Sequence, residues 1–261
     1  MDIIDFYNAE IDEIDNIDIR NGYYMKDLLG YDDYETVKLS TVSPDESFKR
    51  ALHSFKIYKD KDLFDSVFEK KKHFDYYYKI DDAGESMKPY YFNTQINLGE
   101  NNQMVPAVFF PKKLDKASYA FFGHEVHHCV KDLNLNERRI RDRVSEVIPM
   151  FYEMLCSDYE INETVSKEIK KRRLVLLKLD KDSGCEDARQ IQYFNSFYYA
   201  LALYNMYRQD ENKILILRLI SRVLKGEINS LDLLYMLDLY GMDLDYKVSW
   251  ELEMMKEYVL K

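Results

Sequence analysis

Apolar residues three and four apart recur along most of this chain, and glycine and proline are sparse, so the pattern predicts a mainly α-helical fold. The clearest helix start is Ser43-Pro44-Asp45-Glu46, which supplies a capping hydroxyl, proline at the first helical position and an acid at the third. Phe48, Leu52 and Phe55 then mark one buried stripe. A second helix is expected over 62–78, with Leu63, Val67, His73 and Phe74 on or near its inner face. Between 87 and 111 the period shortens: Tyr90, Tyr91, Phe92, Thr94, Ile96 and Leu98 lead to Gly99-Glu100-Asn101-Asn102, and Met104, Val105, Val108, Phe109 and Phe110 follow. Aromatic and β-branched residues on both sides of turn formers predict a strand, a turn and a strand. From Lys116 onward the pattern is helical almost to the end, with breaks near Asn134, 180–184, 209–212, 226–230 and Gly241. No internal repeat or low-complexity segment is present.

The 261 residues suffice for a sizeable core, either as one continuous domain or as an N-terminal helical segment (1–86) before a larger domain (87–261). A formal net charge of -10 argues against a nucleic-acid partner and against an anionic membrane surface, since both need a basic face. The N-terminus lacks the basic-then-apolar layout of a secretory signal, and no apolar run is long enough to span a bilayer. A soluble, cytoplasmic protein is the expectation. Cys129, Cys156 and Cys185 are odd in number and widely spaced, so they read as reduced and mostly buried, not as a disulfide framework or thiolate metal site. Apolar stretches at 214–224, 231–240 and 250–260 suit either a core or a subunit interface, which leaves the oligomeric state undetermined.

One run carries chemistry. Gly123-His124-Glu125-Val126-His127-His128-Cys129 contains H-E-x-x-H, and on a helix positions four apart share a face. His124 and His128 can therefore reach one ion while Glu125, one step round, points at its open side as general base. His127, three residues from His124, could compete as a ligand. Hydrolytic zinc has three protein ligands and keeps one position for water, so a third ligand is needed. No histidine follows His128, which leaves a carboxylate. Glu146 and Glu153 lie seven apart on the next helix, hence on one face, and either can close the triad. Asp142, one turn before Glu146, is a candidate to hydrogen-bond a ligand imidazole. The hairpin immediately before the motif offers a strand edge that could hold an extended peptide through main-chain hydrogen bonds, or could merely cover the core.

With the carboxylate helix included, the chain resembles the zinc metallopeptidases of the thimet oligopeptidase and oligoendopeptidase F family, gluzincins of mostly helical fold, as a short and divergent member. Three segments carry the likeness: Phe122-Gly123-His124-Glu125-Val126-His127-His128, resembling the metal helix; Ser145-Glu146-Val147 with Glu153 after it; and Phe197-Tyr198-Tyr199-Ala200-Leu201-Ala202, similar to a tyrosine-rich helix that faces the metal. The resemblance implies a helical zincin-like core with a small hairpin or sheet beside the metal helix, one zinc ion on His124, His128 and Glu146, with Glu153 as the alternative third ligand, and Tyr199, or Tyr198 beside it, as hydrogen-bond donor to the transition-state oxyanion. For most of Tyr193, Tyr198, Tyr199, Tyr204 and Tyr207 the expectation is aromatic packing. The chain departs from the family in several places: His127 stands where relatives carry glycine, Lys131 replaces a histidine, and the histidine upstream of the tyrosines is missing, with Arg189, Gln190 and Gln192 in that neighbourhood. The stretch between His128 and Glu146 is also shorter than the family's, and the likeness runs only from about residue 87, so a restriction to short peptides does not transfer.

The leading expectation is a zinc-dependent peptidase acting on peptides through a metal-activated water. Its rival from another class is a helical zinc-binding or regulatory protein with a degenerate site and little turnover. A hydrolase of this architecture acting on another amide is a third.

Overall fold

The computed structural model describes residues 38–69, 80–81, 90–98, 101–111, 114–134, 145–182 and 188–237. Expectations for 1–37, for the later part of the 62–78 helix, for the turn at Gly99 and Glu100, for Asp142, Cys185 and Gly241 and for 250–260 lie outside the described residues. Within them the chain runs β1 (Thr41–Val42), α1 (Pro44–Ser54), a 3-10 turn (Phe55–Tyr58), α2 (Lys61–Glu69), β2 (Ile80–Asp81), β3 (Tyr90–Leu98), β4 (Asn101–Pro111), β5 (Leu114–Asp115), α3 (Ser118–Asn134), α4 (Val147–Tyr159), α5 (Glu163–Asp182), α6 (Ala188–Arg208), α7 (Asp210–Leu224) and α8 (Ser230–Met236). The fold is mainly α-helical with a small β-hairpin.

Ser43 caps α1 as its sequence predicts: its Oγ accepts the Glu46 N–H at 3.1 Å, and Pro44 opens the helix. Phe48, Leu52 and Phe55 are buried together, and the same core takes in Leu63 and Val67 from α2. Asp60 precedes α2 and caps it, accepting the Leu63 N–H at 2.9 Å. Its other oxygen reaches α7, accepting from Ser221 Oγ at 2.5 Å and lying 3.0 Å from Lys225 Nζ. Partial burial alone would raise the Asp60 pKa, but the Ser221 and Leu63 hydrogen bonds and Lys225 outweigh it and lower it from 3.8 to about 2. A depressed folded-state pKa means stability that is present above about pH 4 and lost as pH falls towards 2. Asp60→Asn, which keeps the cap and loses the charge, is therefore expected to cost about 1 kcal/mol at neutral pH once solvent screening of this exposed pair is allowed for. Urea melts of both proteins should converge as pH is lowered from 4 to 2; a gap that stays constant would sink this account.

In the sheet β4 is central, with order β2-β4-β3. β3 and β4 are antiparallel from Tyr90↔Phe109 to Leu98↔Asn101, so Asn101 and Asn102, expected in the turn, belong to the strand. Pro106 pairs with Asn93 on a stretch of β4 that β2 does not reach, because β2 meets β4 only at Phe110 and Pro111. A residue with no N–H is tolerated where only one neighbour needs pairing. β1 and β5 form a separate antiparallel pair that leads the chain into α3. Further on, the break expected over 209–212 narrows to Gln209, whose extended ψ of 116° separates α6 from α7.

α3 packs against α1, α4, α7 and the hairpin. α4 is more enclosed: every residue from Val147 to Ser157 is buried, as expected of a helix with apolar residues all round. Phe122, Val126, Val130 and Phe151 join Phe48 and Phe55 in one core, so 38–69 is continuous with the helices after it. Cys129 and Cys156 are both buried. No helix among the described residues is long and apolar enough to cross a membrane.

Candidate metal centre

Asp115 sets the start of α3. Its Oδ1 accepts from the Ala117 N–H at 3.0 Å and from Ser118 Oγ at 3.1 Å, while Ser118 Oγ accepts the Asp115 N–H at 3.0 Å. Arg172 of α5 grips the same carboxylate with both ends of its guanidinium, at 3.0 and 2.6 Å. From that start the helical period carries His124 and His128 to one face, with ring centroids 5.0 Å apart and Nε2 atoms 3.3 Å apart.

The second contribution comes from α4. Glu146 is its N-cap residue, one position before the helix and not inside it as the sequence pattern predicted, and Glu153 follows two turns later. Both face His124, from opposite sides. Glu146 Oε2 lies 2.9 Å from His124 Nε2 and 3.1 Å from His128 Nε2, whereas Glu153 Oε1 lies 2.7 Å from His124 Nδ1. One imidazole is thus held between two carboxylates. Arg173 completes the arrangement: its Nε donates to Glu153 Oε2 at 2.6 Å and its Nη2 donates to Glu153 Oε1.

His124 Nε2, His128 Nε2 and a Glu146 oxygen form the one cluster among the described residues whose donor atoms could hold a metal ion, all within 4.8 Å of one another. A tetrahedral ion with bonds of about 2.0–2.1 Å keeps its ligand atoms roughly 3.3 Å apart. The separations of 2.9, 3.1 and 3.3 Å come close to that without rearrangement. Two imidazoles and one carboxylate suit a divalent transition ion such as zinc better than calcium or magnesium, which prefer all-oxygen sets. Charge agrees with this. With neutral imidazoles, Glu125, Glu146 and Glu153 against Arg173 leave two negative charges for a divalent ion to cancel.

The protonation pattern of the cluster follows from the same contacts. Burial would lower the His124 pKa, but the Glu153 charge and the hydrogen bonds to Glu146 and Glu153, with a smaller push from Glu125, raise it to about 10. Burial likewise works to raise Glu146, and the His128 charge with hydrogen bonds from both histidines drives it well below the ordinary carboxylate range. For Glu153 burial is outweighed by the Arg173 guanidinium and then by His124. Glu125 itself is partly exposed beside this cluster, on the next position of α3.

His127 is not part of the metal cluster, and the expectation that it might compete as a ligand is corrected by its surroundings. Its ring stacks on Phe55 at 4.3 Å and lies tilted against Tyr152 at 4.3 Å. Nδ1–H donates to the Gly123 carbonyl at 2.6 Å, which leaves Nε2 to accept from Tyr58 O–H at 2.7 Å. Both nitrogens are engaged. Burial lowers its pKa to about 3, so the ring is neutral. Lys131 donates to Ser230 Oγ at 2.9 Å and ties α3 to α8.

Tyr199 is buried in the main core on α6, and α6 packs on α4, the helix after Glu146. The side chains of Tyr193, Tyr198, Arg189, Gln190 and Gln192 lie outside the described residues. Tyr204 and Tyr207 have ordinary hydrogen-bonding roles, with Asp158 at 2.6 Å and the Tyr159 hydroxyl at 2.7 Å. Arg173 was not legible beforehand: it is one of several basic residues in α5, and its sequence neighbours give no sign that it, rather than another, turns inward.

Gly123 sets how closely the two site helices approach. A Cβ there would overlap the ring and hydroxyl of Tyr152. That ring is fully buried, tilted against His127 and hydrogen-bonded to Ser54 Oγ at 2.5 Å, so it has nowhere to go. Gly123→Ala is expected to destabilise the protein by about 1–3 kcal/mol, as overpacking does, and to weaken metal uptake by pushing α4 away. Thermal melts and metal titration measure both; a variant matching wild type in each would show that the contact is not required.

Compared with protein-family models, with curated proteins and with solved structures, the chain matches none. What stands is a helical protein with a clustered His/His/Glu triad capable of binding a metal ion.

Proposed function

We propose that this protein is a zinc-dependent hydrolase of peptide bonds, with 87–261 as its catalytic part and 1–86 as an N-terminal helical segment, or the two as one continuous domain. The observation that carries the reading is the convergence of His124 Nε2, His128 Nε2 and Glu146 Oε2, with Glu125 adjacent on the same helix. His124, His128 and Glu146 would hold the zinc ion, which would supply Lewis acidity and lower the pKa of a water towards neutrality. Glu125 takes the proton of the attacking water and delivers it to the leaving amine. Tyr199, or Tyr198 next to it, donates a hydrogen bond to the oxyanion that develops at the scissile carbonyl, a role drawn from the resemblance to the oligopeptidases. The outer edge of β3 receives the substrate backbone: β3 is the terminal strand of its sheet, and the hairpin packs on α3.

A second reading keeps the metal and drops the turnover, making this a helical zinc-binding or regulatory protein. Metal binding needs only the three-ligand cluster, which is what the geometry supports most directly. Hydrolysis needs an oxyanion donor as well, and the histidine that the oligopeptidases carry upstream of their tyrosines has no counterpart in this sequence. The deciding experiment is metal analysis of the purified protein with a peptide-library digest, run with added zinc and with a chelator. Cleavage that a chelator stops and zinc restores supports the peptidase. Stoichiometric metal without cleavage of any peptide favours the second reading, and a protein that takes up no metal overturns both.

A further inference from the structure

Consecutive residues of α5 form ion pairs at the two helices that carry the cluster. Arg172 holds Asp115 at the entrance to α3, and Arg173 holds Glu153 in the middle of α4. Successive helical positions point about 100° apart, so one short stretch of α5 reaches both elements that carry ligands. The Arg173 contact is the one that touches the site. Glu153 Oε2 is taken by Arg173 Nε at 2.6 Å, and Oε1 is shared between Arg173 Nη2 and His124 Nδ1. The guanidinium therefore fixes the plane of the carboxylate, and the carboxylate fixes the imidazole ring. Arg173 Nη2 also lies 3.4 Å from His124 Nδ1, but both are donors once Nδ1 is protonated, so Nδ1–H goes to Glu153 Oε1 at 2.7 Å.

The pair is expensive to place here. Both side chains are almost wholly buried, and a buried ion pair seldom gains more from its attraction than it loses in hydration. An apolar pair of similar volume would serve packing as well. What an apolar pair cannot do is accept from Nδ1–H and so hold His124 with Nε2 turned towards His128 and Glu146. Nor could a lone glutamate do it as well, because Glu153 without a second anchor is free to rotate about its last torsion. A planar fork that engages both carboxylate oxygens removes that freedom, which a lysine point charge does only in part.

On the reading of this cluster as a zinc site, we infer that Arg173 is a positioning residue for the metal, acting through Glu153 on the orientation of His124. The same clamp explains why Glu153 serves as a partner of the ligand rather than as a ligand. Its carboxylate is already committed on both oxygens.

The test is zinc affinity of the full chain, measured by competition with a chromophoric chelator, together with the visible spectrum of the cobalt-loaded protein. Arg173→Gln is expected to lose 10–100-fold in zinc affinity, the range typical of residues that orient a ligand histidine, and to shift the cobalt bands. Arg173→Lys should fall between it and wild type. Glu153→Gln should lose a similar factor, and the double variant no more than the worse single one, because both act on one imidazole. Arg172→Gln is the control for simple loss of a helix contact: it should lower thermal stability and leave zinc affinity within about two-fold, since Arg172 pairs with Asp115 at the start of α3 and with Glu168 on its own helix, neither of them a ligand. If Arg173→Gln does not fold, Arg173→Lys and Glu153→Gln carry the test. Wild-type affinity with an unchanged cobalt spectrum in the Arg173 variants, or a loss equal to that of Arg172→Gln, overturns the inference alone. A wild-type protein that binds no zinc overturns the metal-site reading and this inference with it.

Discussion

Glu125→Gln is expected to bind one zinc ion per chain within a few-fold of wild-type affinity and to hydrolyse peptides about 10²–10⁴-fold more slowly, the usual contribution of a positioned general base. The substitution keeps size and hydrogen-bonding reach and removes only the ability to accept a proton. Glu125 stands outside the three-residue ligand cluster, so the ligand set is intact. Two smaller electrostatic effects oppose each other. Losing its charge removes one of the influences that raise the His124 pKa, which makes His124 easier to deprotonate for a metal, but also removes a negative charge close to the ion. Hence the small net change in affinity. Zinc stoichiometry by atomic absorption and turnover on a cleaved library peptide give the two readouts. Undiminished cleavage with zinc still bound would eliminate Glu125 as the base.

The second large effect concerns the third ligand. Glu146→Ala removes the oxygen that both imidazole Nε2 atoms approach, and leaves two histidines, which cannot form a three-ligand site. Its zinc affinity should fall by more than about 100-fold, beyond the range associated with residues that only orient a ligand. Glu153→Ala should still reach one zinc per chain at saturation, with affinity reduced within that smaller range, because His124, His128 and Glu146 remain. The comparison is made by equilibrium dialysis of both variants. Full retention in Glu146→Ala with loss in Glu153→Ala would reverse the two roles and would mean that the helices shift on loading.

Much of this could be read from residue order. The cap at Ser43, the stripe through Phe48, Leu52 and Phe55, and the hairpin strands all follow from local periodicity and turn chemistry, and they occur where the pattern put them. The boundaries were less legible. Asn101 and Asn102, turn formers by composition, are drawn into β4 by pairing with Leu98 and Asn97 across the ladder. Glu146, which continues a helical pattern, sits at the cap instead. His127 misled for a related reason: spacing alone allows a third imidazole near the metal, and only the aromatic surface formed by Phe55, Tyr58 and Tyr152 turns it away.

The division at the centre itself has a simple cause. The 3.6-residue period obliges His124 to share a face with His128, and Glu146 with Glu153, in any helical structure of this chain, so the donor types and their pairing within each helix were determined by sequence alone. Which glutamate meets which nitrogen was not. That depends on how close and at what angle α4 crosses α3, which the missing side chain at Gly123, the ring of Tyr152 lodged against it, and Arg173 reaching across from α5 to Glu153 all constrain. Contacts between residues tens of positions apart have no period to betray them. Tertiary packing alone turned two equivalent carboxylates into one that meets Nε2 of both histidines and one that meets Nδ1 of His124.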